Sequence, residues 1–225
     1  GGSMQLGWPV SIEGGDGAGK STQAELLLIR LKATGVDALL VHEPGGTDFG
    51  EHVRRLVKGD VERSPMSELF LFEAARAQLV QDVIRPALEA GQVVVTDRYA
   101  DSSLAYQGSG RGLDLADVRA LNHAATGGLM PDATVLLEIP PDQALARVDG
   151  SDGSDGRSDD PEQARFEQEP IEFHRRVAEG FRALASEEPG RWFVVDASAA
   201  PDRVAQKVWA IVSSLLVLRG ISTDA

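Results

Sequence analysis

Eight consecutive residues near the start of the chain have the types and spacing of a phosphate-binding loop. Residues 14–21 read Gly-Gly-Asp-Gly-Ala-Gly-Lys-Ser, in which two glycines bracket four residues and precede a lysine and a hydroxyl residue. In such loops the backbone N–H groups face phosphate oxygens, and the N-terminus of the following helix adds positive charge. Lys20 would then reach the β- and γ-phosphates of a nucleoside triphosphate, and Ser21 would bind Mg²⁺.

The residues on both sides of this loop supply the strand and the helix that the motif requires. Val10-Ser11-Ile12 suits a buried strand, and residues 23–31 have helical spacing. This agreement disfavours the alternative of a glycine-rich turn that only joins a strand to a helix. The residues expected to hold the triphosphate are Gly14, Gly15, Asp16, Gly17, Ala18, Gly19, Lys20, Ser21 and Thr22.

Four further apolar runs predict strands, and helical patterns separate them. The five predicted strands are residues 10–12, 38–41, 92–96, 133–139 and 191–196. The predicted helices after the first cover residues 49–57, 65–90 with a kink at Pro86, 114–126, a short one from Pro140-Pro141, 161–187 and 201–219. This alternation predicts an α/β fold, with a five-stranded parallel sheet, helices on both faces and ligands at the carboxyl ends of the strands.

The composition limits the classes of protein to which the chain can belong. Its 225 residues are 42% hydrophobic and carry a net charge of −13, which argues against general affinity for nucleic acid or anionic membranes. There is no cysteine and no run of 18 apolar residues, so we expect a soluble, cytoplasmic, single-domain protein. Residues 1–4 resemble an expression-tag remnant, the domain would span 5–219, and 220–225 would form a disordered tail.

Three arginines near predicted strand ends and helix starts suggest a second anionic ligand. Guanidinium groups pair bidentately with phosphate, and Arg54, Arg76 and Arg98 could form such a set. Each of them alone could equally be a solvated residue or part of a structural ion pair. The absence of an Asn-Lys-x-Asp motif weakens the alternative of a GTPase switch.

With these motifs in place, the chain resembles bacterial thymidylate kinases over nearly its whole length. The matching segments are the phosphate loop with Asp16, Glu-Pro-Gly-Gly-Thr at 43–47, Phe-Glu-Ala-Ala-Arg at 72–76, Asp-Arg-Tyr at 97–99, Asp-Ser-Ser-Leu-Ala-Tyr-Gln-Gly at 101–108 and Arg-Phe-Glu at 165–167. The resemblance implies a P-loop fold of the nucleotide kinase type, ATP and Mg²⁺ as cofactors, dTMP as phosphoryl acceptor, and a homodimer.

The resemblance also implies how dTMP is read. Phe72 would stack on the thymine, although core packing is the alternative, and Arg76 with Gln107 would hydrogen-bond the edge of the base. Tyr106 would crowd the 2′ position of the sugar, and Asp16 would accept a hydrogen bond from the 3′-hydroxyl unless it only shapes the loop. The remaining substrate-binding candidates are Glu43, Arg54, Arg98, Ser102 and Ser103.

Catalysis in this family consists mainly of positioning and charge neutralisation, for which Lys20, Arg98 and Asp97 are candidates. Asp97 would orient Mg²⁺ together with Ser21, or accept a hydrogen bond from Arg98, and Glu43 would order the acceptor site through Arg98 or water. The phosphate loop contains no arginine, so a mobile lid at about 147–167 would have to supply one. The candidates are Arg165 and Arg157, with Arg147 behind them.

Three departures from the family pattern concern the lid and the second strand. His42 stands where an arginine is expected, Ala164 stands where an aspartate is expected, and a Gly-, Ser- and Asp-rich segment at 149–162 lengthens the lid. Two alternatives therefore stay open. One is a kinase for another nucleoside monophosphate or for a deoxynucleoside, and the other is a non-catalytic nucleotide-binding switch.

Overall fold

The computed structural model describes residues 7–150 and 164–223, and its centre is a five-stranded parallel sheet. The strands are β1 (Trp8–Glu13), β2 (Ala38–His42), β3 (Val93–Asp97), β4 (Ala133–Glu138) and β5 (Trp192–Asp196). They lie in the order β2-β3-β1-β4-β5, and every pair is parallel. The predicted fold class is therefore confirmed.

Helices connect the strands. Their bounds are α1 (Lys20–Ala33), α2 (Asp48–Lys58), α3 (Pro65–Leu79), α4 (Arg85–Glu89), α5 (Ala100–Ser103), α6 (Leu115–Thr126), α7 (Pro141–Val148), α8 (Ala164–Glu167), α9 (Ile171–Glu187) and α10 (Pro201–Leu218). Two π-helical turns, π1 (Val80–Ile84) and π2 (Leu104–Gly110), continue α3 and α5.

Side chains of the strands contribute to hydrophobic clusters on both faces of the sheet. Val135 of β4 packs with Leu31 of α1 and Val208 of α10, whereas the adjacent Leu136 packs with Phe173 and Phe181 of α9. A strand buried on both sides needs apolar residues at successive positions, which is why the central strands are continuous apolar runs. The sheet is thus a rigid support for the loops at its edge.

The register of the central strands decides which residues meet at that edge. Ile12 of β1 pairs with Asp97 of β3, and His42 of β2 pairs with the same residue. The phosphate loop after β1, the Glu43 segment after β2 and Arg98 after β3 therefore emerge side by side.

Two predicted helices are interrupted, each near a proline. The helix predicted over 65–90 is formed by α3, π1 and α4, and the π-helical turn directly precedes the segment that contains Pro86. Proline has no N–H for the preceding turn, so the helical hydrogen-bond pattern changes there. Within the helix predicted over 161–187, α8 and α9 are separated by residues 168–170, and Pro170 is the N-cap of α9.

A helical segment that the sequence analysis did not predict follows β3. Residues 100–110 form α5 and π2, and nearly all of them are buried.

Within residues 7–150 and 164–223, no helix is long and apolar enough to cross a membrane. Arg157, most of the predicted lid, residues 1–4 and the last two residues lie outside the described part of the chain.

Candidate active site

A cavity of about 830 Å³ lies where the loops after β1, β2 and β3 meet. Seventeen of the residues selected from the sequence line it: Asp16, Gly17, Ala18, Gly19, Lys20, Ser21, Thr22, Glu43, Arg54, Phe72, Asp97, Arg98, Ser102, Ser103, Tyr106, Gln107 and Arg147. Gly14, Gly15, Arg76 and Arg165 do not line it. The lining also contains residues that the sequence analysis did not select, among them Lys58, Phe166 and the segment 197–201.

The phosphate loop has backbone conformations that favour glycine. Gly17 and Gly19 have φ angles of 79° and 87°, in the left-handed region. A Cβ on Gly17 would lie 2.2 Å from the carbonyl oxygen of Ala144, so the loop approaches α7 closely. Gly19 is the N-cap of α1 and no side chain caps that helix end, which leaves backbone N–H groups for an anion.

The side chain of Lys20 reaches back across the phosphate loop to Gly15. Its Nζ donates a hydrogen bond to the carbonyl oxygen of Gly15 at 2.6 Å. Burial, reinforced by the positive charge of Arg98, lowers the pKa of Lys20 to about 8. A negatively charged phosphate would favour the charged form, as expected for a lysine that binds anions.

The side-chain oxygens of Ser21 and Asp97 lie next to each other near the start of α1. Ser21 Oγ donates to Asp97 Oδ2 at 2.6 Å, and both residues line the cavity. A hydroxyl and a carboxylate are the hard ligands that Mg²⁺ accepts, and Mg²⁺ usually takes its other ligands from water and phosphate. In the described parts of the chain, no three His, Asp or Glu residues cluster as a metal site.

A network of three side chains lies beside the phosphate loop. Arg98 Nη2 donates to Asp16 Oδ1 at 3.0 Å and to the Tyr106 hydroxyl at 3.2 Å, and that hydroxyl donates to Asp16 Oδ2 at 2.9 Å. Arg98 also lies 4.8 Å from the centre of the Tyr106 ring. Burial raises the pKa of Tyr106 well above its ordinary value, so the hydroxyl keeps its proton. Asp16 is thus the carboxylate that pairs with Arg98, and of the two roles expected for Asp97 the structure leaves the one beside Ser21.

Arg98 has an unusual backbone conformation. Its φ angle is 66°, and it is the only residue other than glycine with a positive φ among residues 7–150 and 164–223. Its N–H donates to the carbonyl oxygen of Ile12 at 3.1 Å, so the pairing of β3 with β1 extends to this point. Residues other than glycine seldom adopt this backbone conformation, and those that do are concentrated at functional sites.

Glu13, a residue that the sequence analysis did not select, is buried beneath this network. Its carboxyl group accepts hydrogen bonds from the Tyr99 N–H at 2.8 Å and from Ser102 Oγ at 2.5 Å. Burial, together with the charge of Asp101, raises the pKa of Glu13 to about 8. The sequence feature that could have identified Glu13 is its position directly after an apolar strand and directly before the phosphate loop.

Arg76 and Glu43 form a buried pair next to the cavity. Arg76 Nη2 lies 2.8 Å from Glu43 Oε2, and the same guanidinium donates to Ser103 Oγ and Asn122 Oδ1. The sequence analysis expected Glu43 to act through Arg98 or water, and in the structure Glu43 pairs with Arg76. Although Arg76 opposes the effect, burial raises the pKa of Glu43 to about 7. Contact of Arg76 with a base stays a prediction, since its guanidinium is occupied by protein groups here.

Aromatic rings line another part of the cavity. Phe72 lines it and also packs on Val53 and Val57 of α2, so stacking of Phe72 on a base stays a prediction. Its ring centre lies 6.3 Å from that of Phe166, whose ring meets Tyr106 edge-on at 5.5 Å. These inclined rings give the cavity an apolar, aromatic wall, and an aromatic face of this kind can stack on a planar base.

The candidate catalytic arginines are in different surroundings. Arg165 donates to the carbonyl oxygens of Gly59 at 2.7 Å and Val61 at 3.2 Å. Arg147 lines the cavity and donates to the carbonyl oxygen of Ala197 at 2.9 Å. Arg157 lies outside the described residues. The choice among them stays a prediction.

Comparisons with known proteins give one consistent result. The family model described as Thymidylate kinase matches residues 12–208. A thymidylate kinase of Synechococcus sp. (strain JA-2-3B'a(2-13)) is 48% identical over 209 residues, which cover 93% of this chain and 96% of that protein. One of Thermomicrobium roseum is 47% identical over 212 residues, covering 94% and 97%.

A solved structure is similar over the same extent. The crystal structure of thymidylate kinase from Ehrlichia chaffeensis matches with a TM-score of 0.72 and 29% sequence identity. The match covers 92% of this chain and 99% of the other. The similarity therefore includes the sheet and the loops that form the cavity.

Proposed function

Because the chain belongs to the thymidylate kinase family, we propose that it transfers the γ-phosphoryl group of ATP to dTMP, yielding dTDP and ADP. The observation that carries this proposal is that one cavity joins a phosphate loop to an arginine, a tyrosine and an aromatic wall. The cavity would thus hold a triphosphate and a second phosphate ester that carries a planar base, with their phosphates in line. Such positioning is the main requirement for phosphoryl transfer.

The donor half of the cavity would hold ATP. The loop N–H groups and Lys20 would bind its phosphates, while Ser21 and Asp97 would hold Mg²⁺, which supplies charge neutralisation at the β- and γ-phosphates. Arg98, already oriented by Asp16 and Tyr106, would hold the acceptor phosphate together with Arg54. Glu43 would act on the acceptor site through Arg76 and Ser103.

The acceptor half would hold dTMP. Phe72 would stack on the thymine, and Arg76 and Gln107 would be the polar groups near its edge. The Tyr106 hydroxyl, which is fixed between Asp16 and Arg98, would exclude a 2′-hydroxyl by its position. The matched family model and both relatives carry the same enzyme name, which supports dTMP over another acceptor and a kinase over a switch.

We further propose a lid, a homodimer and a cytoplasmic location. The lid at about 147–167 is supported by Arg147 and Phe166, which flank it and line the cavity. The dimer is supported by exposed apolar side chains on and between the adjacent helices α2 and α3, namely Phe49, Leu56, Val61 and Phe70. Sedimentation analysis of the wild type and of Phe70→Glu tests the dimer, and a monomeric wild type contradicts it. The cytoplasmic location is supported by the cysteine-free sequence, which fits a reducing compartment, and cell fractionation tests it.

The activity is tested by ADP release with ATP and Mg²⁺, using dTMP, dUMP, UMP, CMP, dGMP and thymidine as acceptors. We expect rapid turnover only with an acceptor, and a strong preference for dTMP. Preference for another acceptor would contradict the base- and sugar-reading roles. Binding of ATP with no turnover above slow hydrolysis, whichever acceptor is present, would instead support a switch.

A further inference from the structure

Glu68 of α3 lies behind the cavity wall and contacts a residue that lines it. Its side chain is 2% exposed, and it is not part of the lining. Glu68 Oε1 accepts hydrogen bonds from Gln107 Nε2 at 3.0 Å and from Arg111 Nε at 3.1 Å, and Oε2 accepts from Arg111 Nη2 at 3.3 Å. The carboxylate thus joins a cavity residue to an arginine outside the cavity.

This contact determines the orientation of the Gln107 side-chain amide. A carboxylate that pairs with a guanidinium has only acceptor oxygens, so it must be met by the amide N–H₂ and not by the amide oxygen. The opposite orientation would place two oxygens at hydrogen-bonding distance. The chemistry of the pair therefore assigns Nε2 to the contact with Glu68.

Arg111 holds Glu68 in place from the other side. Its guanidinium lies 4.7 Å from the ring centre of Phe173 and 5.5 Å from that of Phe166. It also donates to Glu169 Oε1 at 2.5 Å. Because these contacts fix the guanidinium, and because α3 fixes the backbone of Glu68, the carboxylate has little freedom to turn away from Gln107.

The fixed amide leaves its oxygen for a ligand. Gln107 Oε1 has no hydrogen bond to any residue in 7–150 or 164–223, and Gln107 lines the cavity. An oxygen at this place accepts a hydrogen bond from a ring N–H, which thymine and uracil carry at N3. Cytosine has an unprotonated N3 there, so two acceptors would face each other and binding would be weakened.

We propose that Glu68 is a positioning residue for base selection, which acts through Gln107 to favour a pyrimidine with a protonated ring nitrogen and to reject cytosine. This inference rests on the proposed function, since it concerns the base of the same acceptor. It adds a residue without contact to the base and assigns a separate task to each atom of the Gln107 amide.

The test compares dTMP with dCMP as acceptors of the full chain. Glu68→Gln replaces an acceptor-only group by one that both donates and accepts, so Gln107 can turn and present N–H₂ to the base. We expect the ratio of kcat/KM for dTMP to that for dCMP to fall at least about tenfold. Glu68→Met, which also removes the acceptor, gives the same readout if Glu68→Gln does not fold.

Two controls separate this role from a structural one. Glu188→Gln breaks another bidentate pair, in which Glu188 accepts from Nε and Nη2 of Arg191 at 3.0 Å each, away from the cavity lining. We expect it to leave the ratio unchanged. In a Gln107→Ala background, Glu68→Gln should no longer alter the ratio, because the residue through which it acts is gone.

The outcomes are distinct. A dTMP:dCMP ratio that stays within about twofold of wild type in Glu68→Gln, with both efficiencies lowered equally, overturns the inference and leaves the proposed function intact. A ratio that falls equally with and without Gln107 also overturns it. A wild type that does not prefer dTMP overturns the proposed function and this inference with it.

Discussion

Ser21 Oγ donates a hydrogen bond to Asp97 Oδ2 at 2.6 Å, and this contact joins the first turn of α1 to the end of β3. The two residues are 76 positions apart in the sequence, and the parallel pairing of β1 with β3 brings them together. The contact orients both oxygens at the place where the phosphates of a nucleotide would lie. We therefore expect Asp97 to matter for the metal more than for folding.

Asp97→Asn should raise the Mg²⁺ concentration needed for half-maximal activity by about 10-fold or more, the size found when a group that orients or binds a metal is altered. The amide keeps the shape of the side chain but loses the charge that favours Mg²⁺. The measurement is a Mg²⁺ titration of turnover at saturating ATP and dTMP. Asp37→Asn, at an exposed carboxylate that accepts from Gln92 at 2.9 Å, is the control. Superimposable Mg²⁺ curves for Asp97→Asn and wild type would remove Asp97 from the metal site.

Gly17→Ala should destabilise the protein and weaken ATP binding. The added Cβ would lie 2.2 Å from the backbone oxygen of Ala144, at a φ of 79° that costs a non-glycine residue about 1–2 kcal/mol even without the clash. We expect the free energy of unfolding, measured with denaturant, to fall by more than about 1 kcal/mol, and the Kd for ATP to rise.

Gly15→Ala is the matched control in the same loop. A Cβ on Gly15 would meet no atom within 4 Å, and its φ is not in the left-handed region. We expect close to wild-type stability for this variant. Equal losses in the two variants would mean that any methyl group in the loop is harmful and that the approach of Gly17 to α7 has no special part.

The sequence predicted the sheet correctly and selected most of the residues that line the cavity, because both depend on patterns that are local along the chain. Apolar runs such as Val93-Val94-Val95 identify buried strands, and the spacing of Gly14, Gly19 and Lys20 identifies the loop. A parallel sheet then brings the residues after each strand to one edge. Neither step needs the position of any side chain.

The pairing of side chains at that edge could not be predicted in the same way. From the sequence, Asp16 and Asp97 are both possible partners of Arg98, and in the structure Arg98 pairs with Asp16 and Tyr106. Similarly, Glu43 follows β2, but its partner Arg76 comes from the buried side of α3. Such choices depend on packing between distant elements, which one sequence does not specify.

Glu13→Gln should make the stability of the protein less dependent on pH. Burial, with the charge of Asp101, raises the pKa of Glu13 from 4.5 to about 8. Between these values the folded state keeps a proton that the unfolded state has lost, so the stability contributed by Glu13 is complete below about pH 4.5 and is lost as the pH rises through about 8. Glutamine stays neutral and can keep both hydrogen bonds.

The free energy of unfolding of wild type and Glu13→Gln should therefore diverge by up to about 1.4 kcal/mol per pH unit across this window, with the variant relatively more stable at the alkaline end. Denaturant titrations from about pH 5 to pH 9 measure this difference. Glu89→Gln, at an exposed position of α4, is expected to follow wild type. Parallel curves for Glu13→Gln and wild type would show that Glu13 is ionised in the folded protein.

Arg165→Ala should lower kcat at least about tenfold, the size expected when a group that stabilises charge in the transition state is lost. In the structure Arg165 donates to the carbonyl oxygens of Gly59 and Val61. Arg165→Ala therefore also removes two hydrogen bonds that hold the fold together, and this is the structural role to be separated from catalysis. The two roles differ in their kinetic consequences. Loss of structure alone lowers the melting temperature and leaves kcat of the folded enzyme unchanged, whereas loss of a transition-state contact lowers kcat at saturating substrates.

Arg175→Ala is the control for the loss of one positive charge, because it removes an exposed arginine whose Nη2 lies 3.5 Å from Asp142 Oδ1. Arg165→Lys keeps the charge but not the planar fork, and we expect it to restore part of the kcat because electrostatic stabilisation depends mainly on charge. Unchanged turnover in Arg165→Ala would transfer the catalytic assignment to Arg157 or Arg147. Since Arg147 already lines the cavity, Arg147→Ala would then be the next variant to measure.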